Sequence, residues 1–178
     1  GQDWYFLAYG HNYKSALRDF TLFAGKIPMP PRYAFGYWWS RYWTYSDKEL
    51  RALVNKFRAY DIPLDVLVID IDWHYLEGDR GGWTGWTWNR NLFPDPQKFL
   101  AWFDEEGIRS TFNLHPADGV KCGEDNYAAV ARDMDIDPAS KQTVPWLSSD
   151  KKFITSMFRN ILSPMEKDGV DFWWLDWQ

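Results

Sequence analysis

The sequence holds a single cysteine, Cys122, in 178 residues. That excludes an intrachain disulfide and any cysteine-built zinc site. The three histidines, His11, His74 and His115, are widely separated and show no metal-ligand spacing, so no metal or cofactor is implied. There is no glycine-rich phosphate loop. Ser40 and Ser46 lack a paired histidine, so serine-hydrolase chemistry is not indicated. Basic residues are not in excess either: Lys+Arg 20 against Asp+Glu 25 gives a net charge of −5, which argues against a nucleic-acid partner. No apolar run approaches the roughly 20 residues of a membrane span. The opening GQDWYFLAYG has neither the basic region nor the apolar stretch of a secretion signal.

What the chain does have is aromatic side chains: 13 Trp, 10 Tyr and 12 Phe, 20% of the residues. Rings fill cores, and they also cover the C–H faces of sugars while neighbouring carboxylates take the hydroxyls. Composition does not separate the two uses. With 46% hydrophobic and 25% charged residues the chain is globular, and its length suits one domain.

Along the chain, a short strand (Trp4–Tyr9) and a helical stretch around Tyr13–Phe23 are expected before the Pro28-Met29-Pro30-Pro31 linker. Tyr33–Trp39 then reads as a buried strand. Ser46 stands three residues before Glu49, a capping box, and Leu50, Leu53, Val54 and Phe57 form one apolar helix face. Leu64–Ile71 is a β-branched strand. Asp95-Pro96 opens a helix that carries Phe99, Leu100 and Phe103 and stops at Gly107. A third strand, Ile108–Leu114, precedes helices near Asn126–Met134 and Asp150–Ile161, and Asp171–Leu175 is the fourth strand. Strands separated by helices and apolar on both faces predict an α/β fold with a parallel sheet, whose chemistry gathers at the C-terminal strand ends.

Those ends are the informative part. They read Trp38-Trp39-Ser40-Arg41, Asp70-Ile71-Asp72-Trp73-His74, Asn113-Leu114-His115 and Trp174-Leu175-Asp176. Polar groups and Trp recur at all four, the pattern of an active-site rim. Asp176 follows an apolar strand and is the candidate reactive carboxylate, since a carboxylate among rings is costly unless bonded or used. Asp70 and Asp72 share a strand face and suit sugar hydroxyls or acid–base work, with Asp72 the one expected to cap a helix or face solvent. Arg41 and His115 are candidate ligand donors or supports for them. The loop Trp83-Thr84-Gly85-Trp86-Thr87-Trp88-Asn89 is expected to form a ligand wall, with Trp86 against the substrate.

Taken together, these residues resemble glycoside hydrolase family 31, the α-glucosidase and α-xylosidase family, over about residues 4–178. Gly25–Gly36 (GKIPMPPRYAFG) is similar to the family's lead-in to its barrel. Ser40-Arg41 with Tyr45-Ser46 is similar to its first loop, and Ile62-Pro63-Leu64-Asp65 with Asp70-Ile71-Asp72 to its second strand. Trp86–Asn89, Phe93–Pro96 and Asp171–Asp176 follow in the family's order. The resemblance implies strands 1–4 of a TIM-type (β/α)8 barrel, truncated. Residues 1–32 would be a lead-in from a preceding domain and 33–178 the N-terminal half of the catalytic domain.

The resemblance further implies a retaining α-glycosidase. Asp176 would be the nucleophile and Asp70 would bind hydroxyls, with Ile71, Trp174 and Trp177 as pocket walls and Trp86 and His115 beside the substrate. The partners it implies are an α-linked oligosaccharide or glycoside and the C-terminal half of the barrel, which would supply the acid/base residue. The 178 residues alone are expected to be inactive. The chain departs from the family at Trp177-Gln178, where Met-Asn-Glu is common, and at His115-Pro116, where Asp-Pro is usual. Glucosides, xylosides, galactosides and N-acetylated α-sugars therefore stay open. An α-galactosidase or α-N-acetylgalactosaminidase-type barrel is the nearest alternative and a non-catalytic carbohydrate-binding module the more distant one. Cytoplasmic, periplasmic and secreted locations all fit one cysteine.

Overall fold

The computed structural model describes residues 4–176. Contacts divide the chain into two compact units, one up to Arg32 and one from Tyr33 onward. The first holds helix α1 (Tyr13–Ala24), capped by the Asn12 side chain, which accepts from Ser15 N. Tyr5 packs on Phe23 and the Tyr9 hydroxyl donates to Asp19 at 2.7 Å. Trp4–Tyr9 does not form the expected strand: its backbone has no neighbouring strand to complete a ladder among the described residues.

The second unit is one four-stranded parallel sheet in the order β1 (Trp38–Trp39), β2 (Val66–Ile69), β3 (Arg109–Leu114), β4 (Phe172–Leu175). Sequence order equals spatial order, as successive βα units produce. β1 is much shorter than its apolar run suggests. The Asp65 carboxylate takes the Tyr37 N–H at 2.9 Å, so that donor is lost to the ladder.

Helix α2 (Asp47–Ala59) opens on the expected capping box: Glu49 N bonds Ser46 Oγ, and Ser46 N donates to the Glu49 carboxylate at 2.8 Å. Helix α3 (Pro96–Glu106) starts at Asp95, which accepts from Lys98 N, and ends at Gly107 with φ of 69°, a left-handed turn that suits glycine. Three short helices, α4 (Tyr127–Asp133), α5 (Lys151–Met157) and α6 (Ser163–Asp168), lie between β3 and β4.

The helical stretch expected to stop at Ile161 instead continues to Asp168. A π-helical segment, Phe158–Leu162, joins α5 to α6. Pro164, which has no N–H to donate, follows that segment at the start of α6. Leu67, Ile69, Phe112 and Leu114 of the sheet pack with Leu50 and Val54 of α2 and Phe99, Leu100 and Phe103 of α3 into one buried core.

The opposite face of the sheet is concave. Trp38 on β1 and Phe172 on β4 are three strand spacings apart, roughly 14 Å in a flat sheet. Their ring centroids lie 5.4 Å from each other, so the sheet curls toward the side they share.

Candidate active site

The concave face carries the polar strand ends. The pairing Val68↔Thr111 and Thr111↔Phe172, with Asn113↔Trp174 one step on, sets which residues share it. By the strand period of two it holds Asp70, Asn113, His115, Trp174 and Asp176. Asp176 extends the β4 ladder by one bond, its N–H donating to Leu114 O at 2.9 Å. That contact places its carboxylate beside His115, whose Nε2 stands 3.6 Å from Asp176 Oδ2. His115 is only 5% exposed, and its Nδ1 has no hydrogen-bond partner among the described residues.

Asp70 ends β2 and turns the chain. Its carboxylate accepts from Ile71 N at 2.7 Å and caps the short helical turn Ile71–Trp73. The capping role expected of Asp72 thus belongs to Asp70. Burial pushes the Asp70 carboxyl above the usual carboxylate range, and the negative charges of Asp72 and Asp176 push the same way. The Ile71 N–H and His115 oppose them. Asp70, His115 and Asp176 therefore act on one another electrostatically: a group of two carboxylates and an imidazole on one rim.

The rings divide differently from the sequence reading. Trp86, expected against the substrate, is 4% exposed, and its indole N–H donates to Gly119 O while the ring stacks on Trp146. Trp88 packs on Trp73, Phe93 and Phe112. Both are core. Trp83, in the same loop, is 56% exposed and meets the His115 ring edge-on at 5.0 Å between centroids. Ile71 is buried and Trp174 is at the margin of exposure, while Trp177 lies outside the described residues. Arg41 lies over the Trp43 ring, 4.2 Å from its centroid.

Beneath the rim, His74 is buried and its Nδ1 lies 2.9 Å from Tyr75 O. Burial lowers its pKa to about 4, so it is neutral near pH 7. Gly85 is seated against this ring so closely that a Cβ there would overlap it. Glu124 is also buried and accepts from the Thr87 hydroxyl at 2.5 Å, and burial raises its pKa. Asn113 was not singled out from the sequence. It is 1% exposed, and its side-chain oxygen and nitrogen both lack a partner among the described residues. Its place two residues before His115 was the available signal. Among the described residues no group of three or more metal-binding side chains occurs, and no helix is long and apolar enough to cross a membrane.

Residues 27–178 match the family model described as the glycosyl hydrolases family 31 TIM-barrel domain. The chain is 37% identical over 117 residues to "Alpha-glucosidase 2" of Bacillus thermoamyloliquefaciens, covering 66% of this chain and 14% of that protein. It is 25% identical over 172 residues to an alpha-xylosidase of Saccharolobus solfataricus, covering 97% and 22%. Among solved structures, the Flavobacterium johnsoniae GH31 dextranase complexed with glucose superposes with a TM-score of 0.68 at 20% identity, over 94% of this chain and 21% of that one. The chain thus spans less than a quarter of the length of these relatives. A four-stranded parallel sheet with its polar groups at one end is what that barrel domain prescribes, and the chain belongs to glycosyl hydrolase family 31.

Proposed function

We propose that the protein carrying this chain is a retaining α-glycosidase with Asp176 as its nucleophile. The supporting observation is the placement of Asp176 at the C-terminal end of β4, on the same concave rim as His115 and half-buried Asp70, in a family 31 chain. A carboxylate oxygen of Asp176 attacks the anomeric carbon. The bond to the leaving oxygen breaks, and that oxygen takes a proton from an acid outside residues 4–176. Water then attacks the same carbon, gives its proton to the acid/base residue, and releases the sugar with Asp176 restored.

Asp70 receives sugar hydroxyls, and His115 fixes and screens the Asp176 carboxylate. Residues 1–32 serve as a lead-in from a preceding domain and 33–178 as the N-terminal half of the barrel, completed by further strands. The relatives include an alpha-glucosidase and an alpha-xylosidase, so α-glucosides and α-xylosides are the first substrates to test. His115-Pro116, in place of the family's usual Asp-Pro, keeps α-galactosides and N-acetylated α-sugars on the panel.

The test is turnover of chromogenic α-glucoside, α-xyloside, α-galactoside and α-N-acetylgalactosaminide by the full-length protein and its Asp176→Ala variant. Hydrolysis of one sugar by the wild type, lost in the variant, supports the assignment. Undiminished turnover in the variant puts the chemistry elsewhere. Sugar affinity without turnover in either protein favours the binding-module reading.

A further inference from the structure

We infer that Thr84 is a positioning residue for the reaction: its buried hydroxyl holds the His115 main chain so that the imidazole stands beside the Asp176 carboxylate. This rests on the reading of Asp176 as nucleophile. The need for such a residue follows from the lengths of the strands. β2 pairs with β3 only as far as Ile69↔Phe112, so Asn113, Leu114 and His115 run on past the end of β2. The next residue is Pro116, which has no N–H to tie the chain down.

Carbonyls alternate in direction along a strand, and this overhang uses both directions. On the β4 side, Leu114 O accepts the Asp176 N–H at 2.9 Å. On the β2 side no strand is left to answer Asn113 O and His115 O. Two side chains of the segment after β2 do so instead. Trp73 Nε1 donates to Asn113 O at 2.8 Å, and the Thr84 hydroxyl donates to His115 O. Asp176 and Thr84 thus hold successive carbonyls, those of Leu114 and His115, from opposite sides of one strand.

The same hydroxyl also accepts from Asp118 N at 3.1 Å, which fastens the helical turn Pro116–Asp118 directly after His115. Thr84 is 2% exposed, so water cannot stand in for either bond. The geometry at the reacting atoms depends on this one oxygen. His115 Nε2 lies 3.6 Å from Asp176 Oδ2, and a shift of the His115 peptide would change that spacing and disturb Leu114, on which Asp176 hangs. A misplacement of about 1 Å at a reacting group costs on the order of 100-fold in rate.

The loop supplies its own comparison. Thr87 is 5% exposed and bonds in the same double fashion: its hydroxyl donates to Glu124 at 2.5 Å and accepts from Asp125 N at 2.9 Å. Neither partner belongs to a strand end. Thr84 and Thr87 are alike as buried structural groups and differ in what they hold.

The experiment measures the attack itself in the full-length protein. The probe is the 5-fluoro-α-glycosyl fluoride of whichever panel sugar the wild type hydrolyses. An Asp176 oxygen bonds to the anomeric carbon, fluoride leaves with the bonding pair, and the slow-reacting ester accumulates. Intact-protein mass gives the first-order capture rate at saturating probe and the concentration for half saturation. We expect Thr84→Val to lower the saturating rate about 10- to 100-fold, with the half-saturating concentration within about 3-fold. Thr84→Ser, which restores the hydroxyl, should stay within about 3-fold of wild type. Thr87→Val should lower Tm as Thr84→Val does, yet leave capture within about 3-fold.

Equal losses of capture in Thr84→Val and Thr87→Val would make Thr84 a structural residue and overturn the inference. So would unchanged capture in Thr84→Val, a Thr84→Ser variant as slow as Thr84→Val, or failure of Thr84→Val to fold. The nucleophile reading has its own test: peptide mapping should find the label on Asp176, and Asp176→Ala should take up none. A label elsewhere overturns that reading and the role of Thr84 with it. A label on Asp176 with unaltered capture in Thr84→Val overturns the role of Thr84 alone.

Discussion

Phe112 and Asn113 are neighbours in the chain and both are buried, yet they live on different faces of β3 and obey different rules. Phe112 meets Trp73, Trp88 and Trp173 in the helix-covered layer. At the edge of that layer Ser110 Oγ lies 3.3 Å from Asp171, whose carboxylate also accepts Ser110 N at 2.8 Å and pairs with Arg109 at 2.7 Å, whereas Trp39 Nε1, beside Phe57 of α2, has no hydrogen-bond partner among the described residues. On the concave face, Thr111 Oγ1, both polar atoms of Asn113 and Nδ1 of His115 have no partner among the described residues. Each such group costs stability, so a native chain keeps them only where something else answers them. One face is built to hold the fold together and the other to meet a ligand or further strands.

The sharpest way to break this comparison is to exchange the properties measured. Asp176→Ala on the concave face should reduce kcat by at least about 10³-fold while shifting Tm little, since the side chain is 42% exposed. Phe112→Ala on the other face should cost about 3–5 kcal/mol of stability, read by chemical denaturation, through the cavity it leaves among three tryptophan rings. Equal stability losses from both variants would erase the distinction.

A smaller effect comes from His74, buried below the rim. Its folded pKa of about 4 lies below the ordinary 6.5, so between those values the unfolded chain binds the extra proton. Stability is then complete above about pH 6.5 and falls toward pH 4, by up to about 3 kcal/mol. Denaturation midpoints across that range should show the slope, and His74→Gln should flatten it. The smallest effect is at the edge of the helix layer: Ser46→Ala should cost about 1 kcal/mol by removing the α2 cap, with kcat/KM unchanged.

Local rules made much of this legible in advance. The Ser46–Glu49 box, the Asp95-Pro96 start and the Gly107 stop involve residues within a few positions of one another, and all three form as the sequence suggests. The strand ends were legible because a period of two fixes the face of each side chain. Orientation within loops was not. Trp83, Trp86 and Trp88 look equivalent in sequence, but the carbonyl of Gly119 and the ring of Trp146 decide that Trp86 turns inward. Asp70 and Asp72 are likewise told apart by which one ends the strand, since the residue at that break meets the free Ile71 N–H. The short β1 depended on Asp65, 28 residues from Tyr37, a separation no local rule spans.

The π-helical turn at Phe158–Leu162 carries a consequence for the ancestry of this segment. Such a turn holds one residue more than an α-turn, and a single insertion into a continuous helix is the simplest way to make one. The surplus is absorbed in place, so the rotational phase of α6 is kept and Met165 still points into the core. Deleting Arg159 would remove the surplus and close the turn into a regular α-helix, with the phase of α6 unchanged. Met165 would keep its place in the core, and the helix would still enter β4 in step. The wide turn works as a spacer gauge: it lets this helix change length over evolution while Asp176 keeps its address at the end of the strand.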